Sequence, residues 1–145
     1  MIRRILVVCI GNICRSPMAE GLLRQALPEV LISSAGISAM VGHGADPIAV
    51  KIVGGVGVDI TAHRARMLTD AIAREADLIL VMDDQQKQEI ALLYPYVRGK
   101  LYKLGEASSQ NIPDPYMQEP EVFRSVFSLI ENGVNQWAAR IKSIG

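Results

Sequence analysis

Two short apolar runs, Ile5-Leu6-Val7-Val8 and Val30-Leu-Ile-Ser-Ser-Ala35, stand on either side of a stretch with helical spacing, and this restricts the fold more than any other feature. Between them Met18, Leu22 and Ala26 run beside Ala19, Leu23 and Leu27 at helical steps until Pro28 forces an exit. A strand, a helix and a strand at this separation make a right-handed crossover, which sets the two strands parallel in one sheet.

The alternation continues. Asp46-Pro47 reads as the N-cap and first position of a helix whose inner face is expected at Ile48, Ile52 and Val56, ended by Gly54, Gly55 and Gly57. Thr69 caps a short helix to Ala76, and the apolar run 77–82 fits a strand buried on both faces. Asp83 suits either the carboxyl end of that strand, where ligands bind in open α/β sheets, or the N-cap of the next helix. That helix ends near Tyr94-Pro95, and residues 100–104 supply a fourth strand. The last helix, about 119–143, spaces Phe123, Phe127, Ile130, Val134, Trp137 and Ile141 along a core face. The pattern predicts a single doubly wound parallel α/β domain over residues 1–145.

The chemistry gathers in Cys9-Ile-Gly-Asn-Ile-Cys-Arg-Ser16, a loop between the first strand and the first helix. Ser16-Pro17 reads as a hydroxyl N-cap followed by proline at the first helical position. Amides of such a loop, with those of the first helical turn, converge into an anion nest. Gly11 permits close backbone approach, and Asn12 tolerates left-handed geometry. Cys9 opens the nest, where unpaired amides, the helix N-terminus and Arg15 favour the nucleophilic thiolate. A ring of amides plus a planar guanidinium fits a tetrahedral, multiply charged anion, so Cys9 is expected to attack phosphorus while Arg15 holds the equatorial oxygens.

The run CIGNICRSPMAE at 9–20 resembles the active-site loop of the low-molecular-weight protein tyrosine phosphatases. The likeness extends through Ser34-Ala-Gly36, Thr61-Ala-His-Arg-Ala-Arg66, Val81-Met-Asp83 and Asp114-Pro-Tyr116, and so covers nearly the whole chain. It implies a four-stranded sheet of order 2-1-3-4 with the phosphate-binding loop, Ile10, Gly11, Asn12, Ile13, Cys14, Arg15 and Ser16, after strand 1. His63, which alone reads as part of a solvated loop, is then expected to support that loop together with Asn12, Ser16 and Ser34. Asp114, which between two prolines reads first as turn chemistry, becomes the general acid. The loop from Gly36 to Asp46 becomes one wall of the substrate cleft through Met40 and Val41. Tyr116 would flank an aryl ring, with Met117 where many eukaryotic members have a second tyrosine. Cys14, in the same loop as the nucleophile, is expected to protect it by a reversible disulfide.

The function implied is hydrolysis of protein phosphotyrosine through a cysteinyl-phosphate, with no metal and no cofactor. The likeness is greatest to bacterial enzymes paired with tyrosine autokinases of capsule and exopolysaccharide export, especially over residues 34–46. The partner expected is therefore a tyrosine-phosphorylated protein of that kind. Three other readings fit less well. Thioredoxin-coupled arsenate reductases of this fold need cysteines downstream of Cys14, and there are none. Protein-arginine phosphatases tend to have threonine where this loop has Ile13. A phosphoprotein-binding module would have no use for Asp114.

Composition excludes other classes. The 15 basic and 15 acidic residues cancel, so no global field recruits nucleic acid or anionic lipid. No apolar run approaches the ~20 residues of a membrane span, and the N-terminus lacks the h-region of a secretory signal, so a cytoplasmic protein is expected. Two cysteines in one loop make no disulfide framework, and two histidines far from them make no metal cluster.

Overall fold

A computed structural model of the protein describes residues 1–144. Four parallel strands, β1 (Arg4–Cys9), β2 (Leu31–Gly36), β3 (Leu78–Val81) and β4 (Leu101–Lys103), form one sheet in the order β2-β1-β3-β4. The helices are α1 (Arg15–Ala26), α2 (Pro47–Gly54), α3 (Asp70–Glu75), α4 (Asp84–Leu93) and α5 (Pro120–Ile144), with 3-10 turns at Pro95–Lys100 and Glu106–Ser108. The expected doubly wound sheet and its strand order are what the chain forms.

Alternation along the central strands divides the core into two layers. Ile5, Val7, Leu78 and Leu80 face the layer that α1, α2 and α5 cover, where Met18, Leu23, Phe123 and Ile130 are fully buried. Leu6, Val8, Ile79 and Val81 face the opposite layer, against Ala73, Ile90 and Val97. Two-sided burial explains why these strands read as unbroken apolar runs. Among the described residues no helix is long and apolar enough to cross a membrane.

Two helices depart from expectation. In α2 the buried residues are Ala49 and Val53, while Val56 is exposed, so the inner stripe is rotated by about one position. The cause is the helix end: Gly57 adopts φ 82°, the N–H of Val58 returns to the carbonyl of Val53, and Val58 is buried in place of Val56. A Cβ on Gly21 of α1 would lie 2.6 Å from Val58, so the close approach of the two segments requires glycine there. In α5 Phe127 is only half-buried, and Val126, Gly133 and Ala138 complete the face.

Register positions the site. Cys9 ends β1 opposite Gly36 at the end of β2, and Ser34 pairs with Val7, so the carboxyl ends of both strands meet beneath the loop that follows β1. A Cβ on Gly36 would fall 2.5 Å from the Ile10 carbonyl and 3.0 Å from the Asn12 Cβ. Only glycine lets the loop lie this close to β2.

Candidate active site

Residues 9–14 turn all six of their carbonyls outward. The Cys9, Ile10, Gly11 and Ile13 oxygens accept from the amides of Ile37, Ser38, Met40 and Asp46, at 3.0, 3.0, 3.0 and 2.8 Å. The Asn12 oxygen meets His63 Nε2 at 2.6 Å, and the Cys14 oxygen accepts from Met18 N–H at 3.3 Å. With every carbonyl held outside, the amides of residues 10–14 are left on the inside, and among the described residues none donates to another protein atom. That is the geometry of an anion nest.

Asn12 makes the loop possible. It adopts φ 59°, a left-handed conformation that asparagine tolerates better than most residues. Its Nδ2 donates to Ser16 Oγ at 2.8 Å and to Ser34 Oγ at 3.0 Å, and its Oδ1 accepts from the Arg66 amide at 3.0 Å. A carbonyl only accepts, so the imidazole of His63 presents an N–H to Asn12. The expected group of Asn12, Ser16, Ser34 and His63 is thus brought together in space.

Three members of this network lay outside the sequence reading. Glu20 accepts from Ser34 Oγ at 2.5 Å and pairs with Arg24 at 2.7 Å, so a buried carboxylate orients the serine. Arg66 supplies its amide to Asn12 and its Nε to the Ser34 carbonyl at 2.9 Å. Gly36 is the third. The one signal for Glu20 was its position four residues after Ser16, on the same helix face.

Ser16 is not an N-cap. The helix begins at Arg15 after Cys14, with no side-chain cap, and the fully buried Ser16 hydroxyl lies 2.9 Å from Cys9 Sγ. Since that oxygen already accepts from Asn12, its own hydrogen is free for the sulfur. Gly11 also differs from expectation: a Cβ there would make ordinary contacts with the side chains of Ile13, at 3.7 Å, and Met40, at 3.8 Å, and would narrow the cleft rather than break the loop.

Arg15 is 2% exposed. Its Nη1 donates to the Ile112 carbonyl at 2.7 Å and lies 3.7 Å from Asp83, while Nη2 lies 3.7 Å from Asp114. Its Nε has no partner among the described residues. An unpaired buried donor is costly unless a ligand completes it, and the Nε–Nη2 edge has the spacing of two phosphoryl oxygens. Asp83 resolves both of its sequence readings, since one oxygen caps α4 on the Gln86 amide and the other faces Arg15.

A cavity of about 150 Å³ opens above this loop, lined by Cys9, Ile13, Arg15, Met40, Asp114 and Tyr116 among others. Ser38, which the sequence did not single out, also lines it. Asp114 Oδ1 accepts from the Tyr116 amide at 3.0 Å, which leaves Oδ2 over the mouth. Val41 does not join Met40: it is 63% exposed and outside the lining. The reason is a turn closed by His43 N–H on the Met40 carbonyl with Gly42 at φ 84°, which carries Val41 past the mouth. A larger cavity, about 620 Å³, lies behind the network beside Arg24, His63 and Arg66 and contains neither Cys9 nor Arg15.

Cys9 and Cys14 are both free thiols. Burial pushes the Cys14 thiol up, and Asp46, whose carboxylate lies 3.9 Å away, pushes it further. Among the described residues no three His, Cys, Asp or Glu side chains are grouped to hold a metal ion.

The model of the low molecular weight phosphotyrosine protein phosphatases matches residues 4–144. A Ralstonia nicotianae protein named "Probable low molecular weight protein-tyrosine-phosphatase EpsP" is 50% identical over the whole of both chains. Vibrio vulnificus Wzb in complex with benzylphosphonate is 36% identical with a TM-score of 0.94, over 97% of this chain and 99% of that one. The YwlE arginine phosphatase from Geobacillus stearothermophilus is 32% identical with a TM-score of 0.91, over 97% and 94%. With the family model matched from residue 4 to residue 144 and a relative 50% identical over the whole of both chains, the chain belongs to the low molecular weight protein tyrosine phosphatases.

Proposed function

We propose that this protein hydrolyses phosphotyrosine in proteins in two steps on Cys9, without a metal. In the first, Cys9 Sγ attacks phosphorus in line, the phosphorus–oxygen bond to the aryl group breaks, and Asp114 gives its proton to the departing oxygen. In the second, Asp114 takes a proton from water, the water oxygen attacks phosphorus, and the sulfur–phosphorus bond breaks to release phosphate. The amides of residues 10–14 and the Nε–Nη2 edge of Arg15 carry the charge on the equatorial oxygens in both steps. The observation that carries this reading is the ring of inward amides around Cys9 beside an arginine whose buried Nε is unpartnered.

His63, Ser34 and Glu20 act at one remove, by holding Asn12 and Ser16. Cys14 is the reversible disulfide partner of Cys9 under oxidation. The protein acts in the cytoplasm, its physiological substrate is a tyrosine-phosphorylated protein, a tyrosine autokinase of exopolysaccharide export, and the enzyme opposes that kinase's autophosphorylation. Support for that pathway comes from the likeness over residues 34–46. Arginine phosphatase activity is a second reading, favoured by the likeness to the Geobacillus enzyme and opposed by Ile13.

The test is hydrolysis of phenyl phosphate in excess chelator, with acid quench and mass spectrometry of the enzyme. Turnover with a phosphoryl group trapped on Cys9 is expected, and Cys9→Ser abolishes both. Turnover without an adduct, or activity restored only by added metal, overturns the mechanism.

A further inference from the structure

Lys103 ends β4 with its side chain buried, 6% exposed, in a place the proposed reaction does not use. Its Nζ lies 3.1 Å from Asp84 Oδ1 at the start of α4 and donates to Asn111 Oδ1 at 3.1 Å. Asn111 Oδ1 also accepts from the Asp84 amide at 3.2 Å. These contacts close a triangle between the end of β4, the start of α4 and the loop that runs from residue 105 to 119. Lys103 is itself fixed at both backbone groups, since its amide donates to Glu106 Oε1 at 3.2 Å and its carbonyl accepts from Trp137 Nε1 at 3.1 Å.

The triangle stands directly before the candidate acid. Ile112, next to Asn111, is buried; its amide donates to the Met82 carbonyl at 2.8 Å and its carbonyl accepts from Arg15 at 2.7 Å. Pro113 then restricts the step to Asp114, and Asp83, the residue before Asp84, faces the same guanidinium. A buried ammonium is expensive to desolvate, and a leucine would suit the core face of a strand better. What the charge supplies is a fixed point for Asn111.

We propose that Lys103 is a positioning residue for general acid catalysis: through Asn111 and Asp84 it holds the loop so that Asp114 reaches the leaving oxygen. The inference rests on the two-step reading above. Lys103 touches no reacting atom, so its loss acts only where Asp114 moves a proton, and kcat/KM, which ends at formation of the cysteinyl-phosphate, reads the leaving-group step alone. Removing the ammonium leaves Asn111 only the 3.2 Å bond from the Asp84 amide and lets Asp114 drift, and a displacement of this kind is worth about tenfold or more.

Lys103→Met keeps the stem and removes the charge. The expected result is a fall of about tenfold in kcat/KM for phenyl phosphate, less than about twofold for a dinitrophenyl phosphate, and recovery in Lys103→Arg. In an Asp114→Asn background Lys103→Met adds no further loss for phenyl phosphate. Amide exchange at Ile112 reports the loop without any substrate, and it quickens in Lys103→Met. Asn111→Ala, on the exposed side of the triangle, carries the same expectations if Lys103→Met does not fold. Equal losses of kcat/KM for both leaving groups, or unchanged exchange at Ile112, overturn the proposal. An inactive wild type refutes the reaction instead, and the anchoring is then judged by exchange alone.

Discussion

Arg15 Nη2 and Asp114 Oδ2 lie 3.7 Å apart, one on a buried guanidinium and the other on a carboxylate at the mouth of the cleft. The separation is too long for a hydrogen bond, so the pair leaves the Nε–Nη2 edge open to an anion. Arg15→Lys keeps the charge but cannot span two phosphoryl oxygens, and its kcat should fall by at least about 10²-fold. Asp114→Asn should be selective in kcat/KM, losing about 10²–10⁴ for poor leaving groups and much less for activated aryl phosphates. Steady-state kinetics over a series of substituted phenyl phosphates checks both. Wild-type behaviour of Arg15→Lys, or a uniform loss in Asp114→Asn, contradicts these roles.

Asn12→Ala should cost stability as well as rate. Alanine at φ 59° is strained by about 1 kcal/mol, and the substitution removes the donor shared by Ser16 Oγ and Ser34 Oγ and the acceptor of the Arg66 amide. A loss on the order of 2–4 kcal/mol in denaturant unfolding is expected, with weaker competitive inhibition by inorganic phosphate. A loss below about 0.5 kcal/mol means that the loop is held by its outward carbonyls alone.

The sheet was legible because burial on both faces writes itself as apolar runs, and the loop was legible because cysteine, asparagine, arginine and serine at those spacings have few other uses. What failed to show were partners that carry no pattern. Gly36 is required by a 2.5 Å approach to a backbone oxygen that lies far away in sequence, and Arg66 contributes mainly an amide that any residue owns. Glu20 carries no mark of its partner in the sequence, and its buried role depends on α1 packing over β2. Val41 was misplaced because adjacency to Met40 says nothing about a turn that sends neighbours in opposite directions.

Asp77 links the start of β1 to the start of β3, with Oδ2 accepting the amides of Arg3 and Arg4 at 2.9 Å each. The Arg3 amide above all, with that of Arg4, holds this carboxyl below its usual range, against a smaller opposing effect of burial. A depressed folded value means that its contribution is present above the unfolded value, about 3.9, and is lost as pH falls through the folded one. Asp77→Asn should therefore lower Tm at pH 7, and the gap to wild type should close at acid pH. A gap that stays constant down to pH 2 rules out the carboxylate as its source.

Oxidation should be reversible only while Cys14 is present. Peroxide converts the Cys9 thiolate to a sulfenic acid, and the Cys14 sulfur then displaces hydroxide, which leaves as water with the thiol proton. Burial and Asp46 hold Cys14 as a thiol, so disulfide closure should quicken as pH rises. Asp46→Asn keeps the α2 cap and removes one of the charges that push Cys14 up, so it should speed closure at neutral pH. Activity regained with dithiothreitol after a peroxide pulse measures this. Irreversible loss in wild type at the rate of Cys14→Ser contradicts it.

Substrate choice should follow the depth and lining of the cleft. Met40 stands on one side and Tyr116 on the other, with Cys9 at the floor, which makes a narrow apolar slot for a phenyl ring that carries its phosphate to the sulfur. Phosphoserine is too short to fill the slot and still reach the floor. Phosphoarginine has the length but brings guanidinium N–H groups, and Ile13, buried at the edge of the slot, offers them no acceptor. Asp114 and Ser38 can accept from some of those donors, but the ones left against Ile13 should cost a phosphoarginine peptide at least about tenfold in kcat/KM against the same peptide with phosphotyrosine. Ile13→Thr supplies a hydroxyl at that edge and should narrow the difference. A higher kcat/KM for phosphoarginine in the wild type makes the protein an arginine phosphatase that uses the same loop, whereas preference for phosphotyrosine that Ile13→Thr leaves unchanged locates the discrimination at Met40 and Tyr116.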